Sequence, residues 1–231
     1  MIDFHSHILP GVDDGSASVD ESLSMLSRLA QQGVNTVIAT PHYHASRESV
    51  QEFLDRRERA YVQLQQQMPQ GMPQIRLGAE VRYYPGIVRL ADIKNLCLQD
   101  SNVLLLEMPM GRWTEFTLRE VIELSGSRGV QLMLAHIERY WRAQSHRVWE
   151  RFLASDILMQ SNADFFIGAT RRKALSLLKN QSIHVLGSDC HNLTTRPPRM
   201  DEAMAVIRKR MGDDFADHMI AFGESWFAKN I

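Results

Sequence analysis

Short apolar runs that end in histidine, aspartate, glutamate or asparagine recur along this chain, and this recurrence constrains its fold more than any other feature. The runs cover 2–5, 36–40, 75–80, 103–107, 132–136, 157–162 and 183–189. Between them lie longer stretches with apolar residues at helical spacing: 20–32, 46–68, 117–127, 148–154 and 171–178, then 200–210 and a short helix at 214–222. The first of these carries Leu23, Leu26, Leu29 and Ala30 on one face and Gly33 at its C-cap. Strands alternating with helices imply parallel strands joined by helical crossovers. The steps from His42 to Glu80, Glu107, His136, Asn162 and Asp189 are 38, 27, 29, 26 and 27 residues, about one βα unit each. A doubly wound sheet spreads such residues along an edge, whereas a βα barrel gathers strand ends at one face, where active sites are built. The spacing therefore predicts an α/β fold, a seven-stranded TIM-like barrel, in a single domain over 1–231.

The polar residues at these ends are ligand types. His5 and His7 are two apart in the first run, so strand alternation puts both imidazoles on one face. Asp14 follows in the next loop, and His191 lies two residues beyond Asp189. Taken singly, a glutamate after an apolar run is ordinarily a solvated loop residue and a histidine there a structural one. Nine such residues in order, His5, His7, Asp14, His42, Glu80, Glu107, His136, Asp189 and His191, point instead to a metal centre. Oxygen and imidazole donors without thiolates suit manganese or another borderline divalent ion and argue against a structural cysteine–zinc site.

The bulk numbers narrow the function further. Lys plus Arg is 26 and Asp plus Glu is 27, so duplex nucleic acid is not the expected partner, although a local basic pocket for one phosphate is compatible with that balance. Two cysteines, Cys97 and Cys190, give no disulfide framework, and Cys97 reads as a core residue. No basic segment precedes an apolar run and no apolar stretch approaches 18 residues, so the expectation is a cytoplasmic protein without membrane insertion.

The motifs Asp3-Phe4-His5-Ser6-His7-Ile8 with Asp13-Asp14-Gly15, Ala39-Thr40-Pro41-His42, Gly78-Ala79-Glu80-Val81, Leu106-Glu107-Met108-Pro109, Ala135-His136-Ile137-Glu138-Arg139-Tyr140 and Gly187-Ser188-Asp189-Cys190-His191-Asn192 together resemble the polymerase and histidinol phosphatase (PHP) superfamily. Within it, the chain resembles, essentially end to end, the bacterial manganese-dependent tyrosine phosphatases of capsule and exopolysaccharide synthesis. The resemblance implies a distorted seven-stranded (β/α) barrel holding three divalent ions, commonly manganese, with iron, zinc, cobalt or magnesium as substitutes. Carried over by position, one ion takes His5, His7, Glu80 and Asp189, a second Glu80, Glu107 and His136, and a third Asp14, His42 and His191. The implied chemistry is attack of a metal-activated hydroxide on phosphorus. Arg139 and Arg196 match the family's phosphate-holding arginines, a task that suits the guanidinium fork, and Asp189 and His42 join them as catalytic candidates. Arg112 is a weaker phosphate candidate.

A competing signature is present. Cys190 to Arg196 reads Cys-x5-Arg, the pattern of cysteine-dependent tyrosine phosphatases. That mechanism needs a flexible loop leading into a helix N-terminus. Here the loop has no glycine, Pro197-Pro198 follows at once, and Cys190 lies between two ligand candidates, so the metal mechanism is preferred. Tyr43, Tyr83, Tyr84, Trp113 and Tyr140 stand just beyond ligand positions and are expected either to line a mouth for an aromatic phosphoester or to pack over the barrel top. The family implies a partner, the phosphotyrosine-bearing tail of a bacterial tyrosine kinase of polysaccharide export. Two other readings stay open: a small-molecule phosphatase such as histidinol phosphatase, and a non-catalytic metal-loaded scaffold that binds the tail. His44, His146, His184 and His218 belong to no ligand motif; His184 is expected to be structural and the others exposed.

Overall fold

The computed structural model describes residues 1–127 and 129–229, with side chains from 226 onward left aside; the expected domain end, Ile231, lies outside the described residues. The chain forms β1 (Ile2–Ser6), α1 (Val19–Gln31), β2 (Thr36–Ala39), β3 (His42–Tyr43), α2 (Val50–Gln65), β4 (Gln74–Leu77), β5 (Glu80–Arg82), β6 (Val103–Glu107), α3 (Glu115–Gly126), β7 (Gln131–Leu134), α4 (His146–Leu153), β8 (Leu158–Asn162), α5 (Arg171–Lys179), β9 (Val185–Gly187), α6 (Met200–Met211) and α7 (Asp213–Lys229). It is an α/β fold with a curled sheet in which every strand pair is parallel.

Among the described residues there are nine short strands rather than the seven expected. The run 36–40 breaks at Thr40-Pro41, and the chain rejoins the sheet at His42. The run 75–80 likewise breaks between Leu77 and Glu80. Proline has no N–H to donate to a ladder, which accounts for the first break. The strands fall into the orders β1-β2-β4 and β3-β5-β6-β7-β8-β9. Backbone bonds carry the pairing past the breaks: Thr40 N donates to Ser6 O (2.8 Å), Gly78 N to Ala39 O (2.8 Å) and Glu80 N to Pro41 O (3.1 Å). At the far edge, Asp189 N donates to His5 O (2.7 Å) and His7 N to Cys190 O (3.0 Å), beside a single parallel bridge between Ser6 and Cys190.

Helix ends follow local chemistry. Ser18 caps α1 by accepting from Glu21 N, and Ser49 with Glu52 forms a reciprocal capping box that starts α2 later than the periodicity alone predicts. The C-terminal helix, expected to be short, runs 17 residues from Asp213. The predicted last strand is cut to Val185–Gly187, with Asp189 just outside it.

The apolar residues divide into two cores. The larger packs helices against the outside of the sheet. The smaller comprises Ile2, Phe4, Ile38, Leu98, Val103, Leu105, Met133, Ala135, Leu158 and Val185. Its strand members alternate with outward residues, and two positions further along the same face stand Glu107, Gln160 and Gly187. The inner face of the sheet is thus apolar at its lower end and polar at the strands' C-terminal ends. Among the described residues, no helix is long and apolar enough to cross a membrane.

Candidate metal centre

The nine residues read from the sequence lie together at this polar end. His5, His7, Glu80, His136, Asp189 and His191 are buried, His42 and Glu107 are partly exposed, and only Asp14 is open to solvent. Three groups have ligand-type atoms within 4.8 Å of one another: His5, His7 and Glu80; His42, Glu80 and Glu107; and His7, Asp14, His42 and His191. Glu80 belongs to two of them. Its Oε1 lies 2.7 Å from His136 Nε2, and its Oε2 lies 2.9 Å from His42 Nδ1, 3.3 Å from His5 Nε2 and 3.4 Å from His7 Nε2. His136 approaches Glu107 at 3.9 Å. Asp189 Oδ1 faces His5 and His7 at 3.6 and 3.4 Å.

Local backbone features aim these groups. β1 carries a register irregularity between Asp3 and Ser6. Ile2 and Phe4 therefore enter the inner core while His5 and His7 turn into the cluster, the kind of re-aiming a bulge produces. His136 (φ 32°) and Asp189 (φ 50°) adopt left-handed conformations, sparsely populated by residues other than glycine, at the points where β7 and β9 end. Two glycines allow close approach. A Cβ on Gly187 would meet His5 Cβ at 2.5 Å, and one on Gly15 would collide with His7.

A ring of further residues holds the imidazoles, and most of it was not legible in the sequence. His7 Nδ1 lies 2.7 Å from Asp13 Oδ2, His5 Nδ1 3.1 Å from Gln160 Oε1, His136 Nδ1 3.1 Å from the Tyr140 hydroxyl, and His191 Nδ1 3.0 Å from Asp189 O. Gln160 also accepts from His136 N (2.7 Å), and Asp13 from His42 N (2.9 Å). Asp13 stood in a quoted motif without a role, and Gln160 lies two residues before the Asn162 that the spacing singled out. The available signal for Gln160 was its parity with Leu158 on an inward face.

This arrangement fits divalent cations. With Nδ1 occupied, the Nε2 atoms of His5, His7, His136 and His191 all turn toward the cluster, and His5 Nε2 and His7 Nε2 face each other at 3.1 Å. Two ring nitrogens at that distance need a proton or a cation between them, and a shared metal ion supplies the latter. The electrostatics make the same demand. Burial opposes charge on His5 and His7, yet the carboxylates of Glu80 and Asp189 raise His5, and Asp13, Asp189 and Glu80 raise His7 well above the usual imidazole range. Glu80 and Asp189 are held well below the carboxylate range despite burial, chiefly by His5, with His136 and His42 adding to it at Glu80 and His7 at Asp189. By contrast, burial and the charges of His7 and Arg196 push His191 down to about 4. Buried His42 Nδ1, Glu80 Oε2 and His191 Nε2 meet no partner in hydrogen-bonding geometry among the described residues, although the first two lie only 2.9 Å apart, as ligand atoms aimed at a shared ion do.

Arg139 and Arg196 converge on one carboxylate: Arg139 Nη2 is 2.6 Å and Arg196 Nη2 2.7 Å from Asp189 Oδ2, which also accepts from Asn162 Nδ2 at 2.7 Å. Arg112 is exposed and stays apart from this group. Of the two expectations for the aromatic residues, the structure shows packing and not a mouth. Tyr43, Tyr83, Trp113 and Tyr140 are buried, packing for example on Phe53 and Phe152 or bonding Glu120 and His136, and only Tyr84 is partly exposed. Of the unassigned histidines, His184 accepts from Met159 N and is structural, His146 and His218 are exposed, and His44, expected to be exposed, is half-buried beside His42 with ring centroids 5.7 Å apart. Cys190 is fully buried, and burial drives its thiol pKa far up, the opposite of what a nucleophilic thiolate needs.

Comparison with known proteins identifies the family. Residues 1–224 match the family described as capsular polysaccharide synthesis, CpsB/CapC. The tyrosine-protein phosphatase YwqE of Bacillus subtilis is 29% identical over 93% of this chain and 86% of its own length. The tyrosine-protein phosphatase CpsB of Streptococcus pneumoniae is 31% identical over 92% of this chain and 91% of its own. A solved structure from the study of YwqE and CpsB, which are metal-dependent tyrosine phosphatases, superposes with a TM-score of 0.78 at 26% identity, covering 96% of this chain and 92% of that one. The chain belongs to the CpsB/CapC family of capsular polysaccharide synthesis.

Proposed function

We propose that this protein is a metal-dependent tyrosine phosphatase, a phosphoric monoester hydrolase, whose substrate is the phosphotyrosine-bearing tail of a tyrosine kinase in polysaccharide export. The observation that carries this reading is the cluster itself: inward-turned imidazoles and carboxylates, with two guanidinium groups converging beside them on Asp189. We read residues 1–231 as a single cytoplasmic domain and the curled sheet as a distorted seven-stranded barrel, its first and last strands joined through Ser6 and Cys190.

Three divalent ions, manganese by preference, would be held by His5, His7, Glu80 and Asp189; by Glu80, Glu107 and His136; and by Asp14, His42 and His191. Such ions polarise phosphoryl oxygens and lower the pKa of water. Arg139 and Arg196 bind the phosphoryl oxygens, the planar forks presenting donors that a point charge cannot. Asp189 orients both forks through Oδ2 while its Oδ1 faces the histidines, and so couples phosphate binding to the metal cluster. His42, 21% exposed between Asp14 and Glu80, is the imidazole that meets the incoming substrate.

A phosphoester panel tests the reading. With Mn²⁺ the protein is expected to hydrolyse phosphotyrosine peptides, and EDTA is expected to abolish turnover. Activity on histidinol phosphate but not on phosphotyrosine peptides would overturn the substrate, and tail binding without any turnover would overturn catalysis.

A further inference from the structure

Beside the cluster lies a cavity of about 680 Å³ that reaches His42, Asp14 and Glu107 on one side and His44, Arg47 and Arg82 on the other. A second groove, about 360 Å³, begins at the same three residues and continues to Tyr83 and Tyr84. His44, Arg47 and Arg82 therefore form a sill between the candidate metal centre and a path across the surface. Arg82 ends β5 and His44 directly follows β3, two strands in which His42 and Tyr43 pair with Glu80 and Val81 in parallel register, and Arg47 stands in the turn after β3.

The charges on this sill are uncompensated. Of the other charged groups in the first cavity, Glu48 is tied to Arg56 at 2.5 Å, Arg56 also donates to Val12 O, Asp13 is tied to His7 at 2.7 Å, and Asp14 and Glu107 belong to the cluster. No carboxylate of the described residues lies within 4.0 Å of Arg47 or Arg82. Both side chains are exposed. Free arginines occur elsewhere on this surface, but these two share a concave site with the reaction centre, where field lines are focused and a fork can engage a carboxylate in bidentate fashion.

We propose that this sill binds side-chain carboxylates of an acidic segment flanking the phosphotyrosine, so that the enzyme selects polypeptides by charge next to the scissile group. The inference rests on the tyrosine-phosphatase reading and adds its sequence preference. Arg47 and Arg82 would act on substrate positioning, and small esters that do not reach the groove would be indifferent to them.

The test compares three phosphotyrosine peptides with aspartate, asparagine or lysine flanks, beside p-nitrophenyl phosphate, using Mn²⁺-loaded protein at low salt. Wild type is expected to favour the acidic over the neutral peptide about tenfold in kcat/KM, mainly through KM, with the preference shrinking as salt rises. Arg47→Glu with Arg82→Glu is expected to reverse the order, and Arg47→Gln with Arg82→Gln to level it, while p-nitrophenyl phosphate turnover stays within twofold. Equal acidic-to-neutral ratios in wild type and both variants would overturn the proposal. If no phosphoester is turned over, the tyrosine-phosphatase reading fails separately. Fluorescence anisotropy with unphosphorylated acidic and neutral peptides then decides the sill: acidic binding lost on charge reversal supports it, and equal binding of both peptides overturns it.

Discussion

The two sides of the cluster are built differently. On the Asp189 side nearly every polar group is spoken for: Arg139, Arg196 and Asn162 all meet Asp189 Oδ2, and Gln160 holds His5 and His136 together. On the His42 side, Asp14 is 68% exposed, His42 is partly open, and Arg47 and Arg82 stand free in the adjoining cavity. A side whose charges are already paired holds them at little reorganisation cost, whereas unpaired groups in an open cavity are available to a ligand. The difference lies in pairing more than in burial: the Arg139 and Arg196 side chains are 31% and 37% exposed against 21% for His42, yet both are tied to Asp189, whereas Arg47 and Arg82 meet no carboxylate of the described residues.

The sharpest way to break this division is at its centre. Glu80→Gln removes the carboxylate shared by two groups, and we expect kcat to fall roughly 10²–10³-fold, the scale for deleting one preorganised electrostatic group, with metal content reduced by elemental analysis. On the paired side, Arg139→Lys and Arg196→Lys should each lower kcat/KM on a phosphotyrosine peptide by about 10²-fold, because lysine keeps the charge and loses the fork. A loss under twofold in both would remove the arginines from phosphate binding. Asp13→Asn keeps shape but weakens the hold on His7 Nδ1, so metal affinity measured by chelator competition should drop about 10–100-fold with the fold intact by circular dichroism. The smallest effect is expected at Cys190→Ser, with activity within about twofold, since a thiol buried in the core with a raised pKa carries no nucleophile. Full loss of activity in a folded, metal-loaded Cys190→Ser protein would restore the cysteine mechanism.

Most of the β/α order was legible because apolar runs and helical faces are local patterns, and the ladder pairs each run with the next. The breaks at Thr40-Pro41 and between Leu77 and Glu80 were hidden in part, since Pro41 marks a stop and gives no sign that pairing resumes one residue later. The two readings of the aromatic residues could not be separated in the sequence for a related reason. Position beyond a strand end says nothing about which way a ring turns, and Tyr43, Tyr83, Trp113 and Tyr140 turned inward, where their area is buried. The extra length of the last helix was missed because Gly223, a poor helix former, stands where the reading stopped, although Phe215, Met219, Phe222 and Trp226 keep helical spacing across it.

For the candidate site, the residues His5, His7, Asp14, His42, Glu80, Glu107, His136, Asp189 and His191 were all readable from ordered spacing in one dimension, because all but Asp14 stand at or within two residues of the end of an apolar run of the sequence, even though the structure makes His42 and Glu80 the first residues of β3 and β5. Which of them share a space was decided only in three dimensions. Strand alternation set His5 and His7 on a common face, but the irregularity between Asp3 and Ser6 determined that this face looks into the cluster. Gln160 and Asp13, the residues that fix the imidazoles, act across 155 and 6 positions of sequence and become partners only when β1, β8 and the loop after β1 meet. The donors could be read from the linear chain, since their chemistry is a property of residue type. The tertiary structure decided their directions, because direction depends on backbone dihedrals and on neighbours that the chain brings close only by folding.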